Sequence, residues 1–122
     1  MPDVRADNAY RVEDKAASYQ CVPGDIGKVL VTTAAATITL PNVADIWAGW
    51  NIQVYNAADD ILVVAAEAGK LVTFNDIAAN SVSFAGTGLM IGTALKFIYD
   101  ATLTKWLVFV KAGETGALTI TT

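Results

Sequence analysis

From Tyr19 onward the chain is a succession of short runs rich in Val, Ile, Thr and aromatic residues, each cut off by Gly, Asn, Asp or Pro. The runs are Tyr19 to Val22, Lys28 to Thr33, Thr37 to Leu40, Trp50 to Tyr55, Ile61 to Ala65, Leu71 to Phe74, Ser81 to Phe84, Leu89 to Ile91, Leu95 to Tyr99 and Trp106 to Lys111. A last one spans Ala117 to Thr121. β-Branched and aromatic side chains fit a pleated surface, and the interrupting residues are those that turns require. About ten short strands at intervals of roughly ten residues make an all-β domain, and the expectation is a compact antiparallel sandwich or barrel-like layer structure. Only Val43 to Gly49 lacks strict alternation and reads as a short helix ended by Gly49.

Side-chain alternation assigns faces. In Trp50 to Asn56, the apolar set Trp50, Ile52 and Val54 alternates with Asn51 and Gln53, so one face meets the core and the other meets water. Lys105 to Lys111 is apolar on both faces. Such a strand is covered twice, once by its own core and again by a second subunit or by a place in the middle of a sandwich. Composition favours association: 54% of the 122 residues are hydrophobic and 16% charged, more apolar than a usual soluble domain of this size can hide. Trp106, Val108, Phe109 and Val110 are therefore the candidates for a subunit interface.

The N-terminus is different. Of the 8 basic and 12 acidic side chains, Asp3, Arg5, Asp7, Arg11, Glu13, Asp14 and Lys15 fall within the first fifteen residues. That contrast suggests a solvated arm at 1–18 ahead of a β-structured domain at 19–122. Val4, Tyr10 and Val12 give the arm apolar points with which to dock on a neighbour. It mixes both charge signs and has no apolar stretch of the signal-peptide kind, and no apolar run elsewhere reaches the roughly 18 residues of a membrane helix.

Most reaction chemistry is excluded by what is missing. Without His there is no Ser-His-Asp or Cys-His nucleophile and no His-containing zinc site. The single Cys21 cannot form an internal disulfide and sits in a strand-like run, where a thiol behaves as a small hydrophobe. Gly86-Thr87-Gly88-Leu89-Met90-Ile91-Gly92 has its third Gly one position late for a dinucleotide fingerprint and no helix after it, so it reads as a glycine-permitted turn. Gly27-Lys28 and Gly69-Lys70 lack the remainder of a phosphate loop. Glu13-Asp14 and Asp59-Asp60 are adjacent carboxylates in arm and turn, placed for solvent rather than for paired acid-base work, and only the Asn56 to Asp60 turn offers oxygens to a cation. Trp47, Trp50, Trp106, Tyr55, Tyr99, Phe97 and Phe109 suit core and interface more than stacking on sugars or bases. A net charge of −4 disfavours nucleic acid. The expectation is a protein that is not an enzyme, needs no cofactor or metal, and binds neither nucleic acid nor membrane.

One resemblance adds to this. Tyr19 with Asp25-Ile26-Gly27-Lys28, then Ala36-Thr37-Ile38-Thr39-Leu40-Pro41, then Gly49-Trp50-Asn51-Ile52-Gln53-Val54-Tyr55-Asn56 come in a characteristic order. Gly69, Asn80-Ser81-Val82-Ser83-Phe84, Leu95-Lys96-Phe97-Ile98-Tyr99-Asp100 and Lys105-Trp106-Leu107-Val108 continue it. This order, over about three-quarters of the chain, resembles a trimeric β-module of tailed-bacteriophage surface proteins, found in tail fibres, tailspikes and small capsid decoration proteins. A chain beginning with Met and stopping eleven residues after Lys111, with no fibre shaft, looks more like a head-stabilising decoration protein. The resemblance implies a homotrimer on the capsid surface of a virion, made in the bacterial host cytoplasm, that clamps the major capsid protein at three-fold positions. Val4, Arg5, Tyr10, Arg11 and Val12 are then the capsid-contact candidates. The alternative it implies is a fibre or tailspike domain that binds a host receptor or carbohydrate.

Overall fold

In the computed structural model, which describes residues 10–86, 88–114 and 118–122, the β-rich runs become twelve strands in two sheets around one core. They are β1 Arg11–Lys15, β2 Tyr19–Gln20, β3 Lys28–Thr32, β4 Ala36–Thr39, β5 Asn51–Asn56 and β6 Leu62–Ala65. After these come β7 Leu71–Thr73, β8 Asp76–Ala79, β9 Ser81–Phe84, β10 Ala94–Asp100, β11 Lys105–Ala112 and β12 Leu118–Thr121. The larger sheet has the order β1-β3-β5-β10-β11-β7-β8 and the smaller one β12-β9-β6-β4-β2.

The sheets are mixed, which corrects the antiparallel expectation. From β1 to β7 the chain steps alternately from one sheet to the other, so that β1, β3 and β5 are parallel neighbours in the larger sheet and β2, β4 and β6 in the smaller. A parallel pair needs a crossover, and here each crossover is a strand of the facing sheet instead of a helix. Antiparallel pairing begins with β8 on β7 and continues with β9 on β6 and with β10, which lies between β5 and β11.

Alternation then fills the space between the sheets. Leu30, Ile52, Val54, Leu95 and Phe97 from the larger sheet meet Ile38, Leu62, Val64, Val82 and Phe84 from the smaller, all of them fully buried. Trp50 and Trp106 pack edge to face, with ring centroids 5.4 Å apart, and Tyr99 sets its ring 5.6 Å from that of Trp106. Trp50 Nε1 donates to the Pro23 carbonyl, which ties the segment before β3 to the core.

Four local expectations change. The arm is not wholly separate from the body: Arg11–Lys15 pairs in parallel with β3 as an edge strand, while residues 1–9 of the expected arm lie outside the described residues. Asp76–Ala79 is a strand despite its β-poor residues, because a two-residue turn at Phe74-Asn75 folds it back on β7, with Asn75 at φ 54°. Leu89 to Ile91 is turn rather than strand, flanked by Gly88 at φ 77° and Gly92 at φ 82°, conformations that glycine adopts without cost to a Cβ. The helix expected at Val43 to Gly49 shrinks to a single 3-10 turn, Val43–Asp45.

Candidate interaction surfaces

The charged side chains near the N-terminus are tied together. Asp25, 1% exposed, accepts hydrogen bonds from the Tyr19 hydroxyl (2.8 Å), the Val22 N–H (2.9 Å) and Lys28 Nζ (2.8 Å). Lys28 also reaches Glu13 on β1 (2.7 Å), Lys15 donates to the same Glu13, and the Lys15 ammonium lies 3.5 Å over the Tyr19 ring. Arg11 donates to the Ile26 carbonyl. In register with β3, Arg11, Glu13 and Lys15 point to the inner side and Val12 and Asp14 to the outer. Inward-pointing charges are one way a sheet edge is closed to further strands. Burial pushes the Asp25 carboxyl up, yet Lys28, the Val22 N–H and Tyr19 outweigh it and hold it below the usual carboxylate range. The hydrogen bond to Asp25, with burial, in turn pushes the Tyr19 hydroxyl up to about 12.

Other groups that could do chemistry are also engaged in structure. Cys21 is 2% exposed and burial pushes its thiol up to about 12, as expected of a small buried hydrophobe. In the Asn56 to Asp60 turn the Asn56 side chain is buried, donates to the Asp60 carbonyl, and accepts from the Ala58 N–H and the Thr32 hydroxyl. Among the described residues no three His, Cys, Asp or Glu side chains gather as metal ligands, and no helix is long and apolar enough to cross a membrane. A shallow cleft of about 260 Å³ between Gln20 to Pro23 and Pro41 to Asp45 has Cys21 in its wall.

Two surfaces stand out instead. The first is the outer face of the larger sheet. Register with the buried residues places Val12 and Asp14 of β1, Val29 and Val31 of β3, and Gln53 and Tyr55 of β5 on it. Lys96 and Ile98 of β10, and Leu107 and Phe109 of β11, continue it. Nothing among the described residues covers this face, and Tyr55 (42%) and Phe109 (44%) stand exposed. The outer face of the smaller sheet is different in kind: Thr37, Thr39, Val63, Ala65, Ser81, Ser83, Thr119 and Thr121 give it small side chains and no charge.

The second surface is one end of the sandwich, formed by the loops 33–35 and 57–61 and the described residues 85–86 and 88–93. They are joined by backbone hydrogen bonds from Ala57 to Thr32, Ala36 to Ile61 and Gly92 to Asn56. Ile61, Leu89 and Ile91 are exposed there, Ile91 by 65%, and the charged residues of these loops are Asp59 and Asp60. Gly92 lies against the hydroxyl of Tyr55, so this end runs into the face described above.

The candidates from sequence are divided by this geometry. Trp106 is fully buried in the core of a single chain and cannot be an interface residue. Val108 and Val110 share its side of β11 and pack on the same core, which leaves Phe109 as the candidate that faces out. Leu107, on the same outer side, was missed, because a strand apolar on both faces does not say which one is inward. Tyr10 (71% exposed) and Arg11 lie at the start of β1 and Val12 (62%) on its outer side, whereas Val4 and Arg5 lie outside the described residues. Exposed aromatics do not gather at one tip: Trp47 lies in the 41–50 loop, Phe74 in the β7–β8 turn, and Tyr55 and Phe109 on the sheet face. No protein-family model matches the chain, and no curated protein matches it.

Proposed function

We propose that the chain is a structural virion protein, a decoration or cement protein that binds the outer surface of a phage head at three-fold positions as a homotrimer and stabilises it. The observation that carries this reading is the loop end bearing Ile61, Leu89 and Ile91, an organised apolar surface with two exposed acidic side chains and no basic one in its loops. Apolar side chains held on ordered loops gain from burial against a partner at about 25 cal/mol per Å² with little further ordering. The polar groups that could instead bind a substrate are occupied in holding the fold, as at Asp25 and Asn56. Trp47, 55% exposed on the opposite end, favours the second reading, a fibre or tailspike domain that stacks a sugar ring.

The test mixes the purified protein with heads that lack it, prepared from the phage whose genome carries the gene. Saturable binding in multiples of three copies, with a higher temperature of head disruption, is expected. Ile91→Lys should weaken that binding by about tenfold or more, as loss of one buried apolar anchor would. Failure of the unmodified protein to coat such heads overturns the reading, and binding of oligosaccharides abolished by Trp47→Ala would replace it with the second.

A further inference from the structure

We infer that β1 is a strap over the edge of the larger sheet, one that opens as a unit while the rest of the fold stays closed, with Glu13 as its latch. Arg11–Lys15 places no side chain in the core, and Val12, its one apolar residue, is 62% exposed. What holds the strand is its parallel ladder to β3 together with charged groups: Arg11 on the Ile26 carbonyl, Glu13 on Lys28, and Lys15 over the Tyr19 ring. By contrast, β5 and β10 bury Ile52, Val54, Leu95 and Phe97 between the sheets. Backbone bonds exchanged for bonds to water cost little in net terms, so an element that buries no core side chain opens at a free energy well below that of the whole domain.

The chain beside the strap permits the movement. Ala16 and Ala17 are exposed and belong to no strand, whereas Ser18 accepts from the Thr37 N–H at 3.0 Å and Tyr19–Gln20 pairs with β4. Opening therefore swings at Ala16-Ala17 and stops at Ser18. It uncovers β3, whose Val29-Leu30-Val31 has no charge, so the closed strap is what gives this side of the sheet a charged edge.

Glu13 accepts from Lys28 on β3 at 2.7 Å and from Lys15 on its own strand. Without its charge the two ammonium groups face one another across the β1–β3 seam with no carboxylate between them, and Lys28 turns to Asp25, which holds it at 2.8 Å. The other groups around the seam do not take over. Arg11 is engaged with the Ile26 carbonyl, Asp14 points outward, and the Tyr19 hydroxyl and Cys21 thiol, pushed up to about 12, are uncharged in acid. The two lysines lower the Glu13 pKa, so the latch is closed above the usual carboxylate range and is lost as pH falls through the folded value. Partly exposed ion pairs are weak, and the expected effect on opening is about fivefold.

Native-state amide hydrogen exchange, read residue by residue on the full chain, tests this. At about pH 6 the β1 amides bonded to β3 should show protection at least about tenfold below that of the β5 and β10 amides bonded to each other, and low concentrations of urea should hardly change it, because the opening exposes little surface. Glu13→Gln should lower the β1 protection about fivefold further and leave the β5–β10 ladder unchanged. Should Glu13→Gln fail to fold, the unmodified chain taken from about pH 6 to about pH 3 should show the same fall in β1 relative to β5 and β10. Protection of β1 equal to that of the β5–β10 ladder, lost only with global unfolding, would overturn the strap. A β1 that opens locally but is indifferent both to Glu13→Gln and to acid would overturn the latch.

Discussion

Replacing Asp25 measures how far one buried carboxylate holds the N-terminal region to the body. One of its oxygens accepts from both Tyr19 and Val22, and the other accepts from Lys28. Asp25→Asn can keep its remaining carbonyl oxygen toward Tyr19 and Val22 and set its amide toward Lys28, which retains Glu13 as a partner. That loss is one charge-assisted hydrogen bond at a buried acceptor, about 2 kcal/mol. Asp25→Ala also strands the Tyr19 hydroxyl and the Val22 N–H, and should cost about 4 kcal/mol in all. Against a total stability of roughly 5–15 kcal/mol for a domain, at about 4 °C for each kcal/mol, the melting temperature falls by about 8 °C and about 16 °C. Urea unfolding followed by tryptophan emission suits the measurement, because Trp50 and Trp106 are both fully buried. An Asp25→Ala variant within about 1 kcal/mol of the unmodified protein, at equal denaturant slope, would refute the reasoning.

Stability should be flat from about pH 5 to 8, because no His titrates there. Hydrogen bonds from Lys15 and Lys28 lower the Glu13 pKa, and Asp25 is lowered as well, so their contribution is in place above about pH 4 and is lost as pH falls through the folded values. Cys21 and Tyr19 are raised to about 12, so theirs is in place below about pH 8.5 and 10 and is lost as pH rises toward 12; melting temperatures across pH 2 to 12 check both limbs. The Cys21 thiol should react with iodoacetamide in native protein only at the rate of opening, and rapid labelling at pH 8 would contradict its burial. Gly113→Ala should cost about 1–3 kcal/mol, since the residue sits at φ 118° and a Cβ would stand 3.1 Å from both Phe84 Cζ and Thr93 Cγ2; an unchanged urea midpoint would show that the loop yields.

What the sequence by itself determined are the elements whose own polarity pattern states their environment. β5 buries Trp50, Ile52 and Val54 as its alternation requires, and Cys21 is buried as its strand-like surroundings imply. The break at Asn75 was legible because few residues enter positive φ, whereas Leu89 to Ile91 reads as strand by its apolar residues and becomes turn between Gly88 and Gly92. Strand β1 was not legible, since one apolar residue among four charged ones reads as an arm. It becomes a strand because Glu13 and Lys15 find Lys28 and Tyr19 from distant parts of the chain, and local pattern carries no information about such partners. Parallel pairing was equally hidden, because a strand has the same side-chain period whichever way its neighbour runs. The same limit applies to β11. Alternation divides Trp106, Val108 and Val110 from Leu107 and Phe109, but both sets are apolar, and only the stacking of the smaller sheet against the larger decides which set becomes core and which is left as surface.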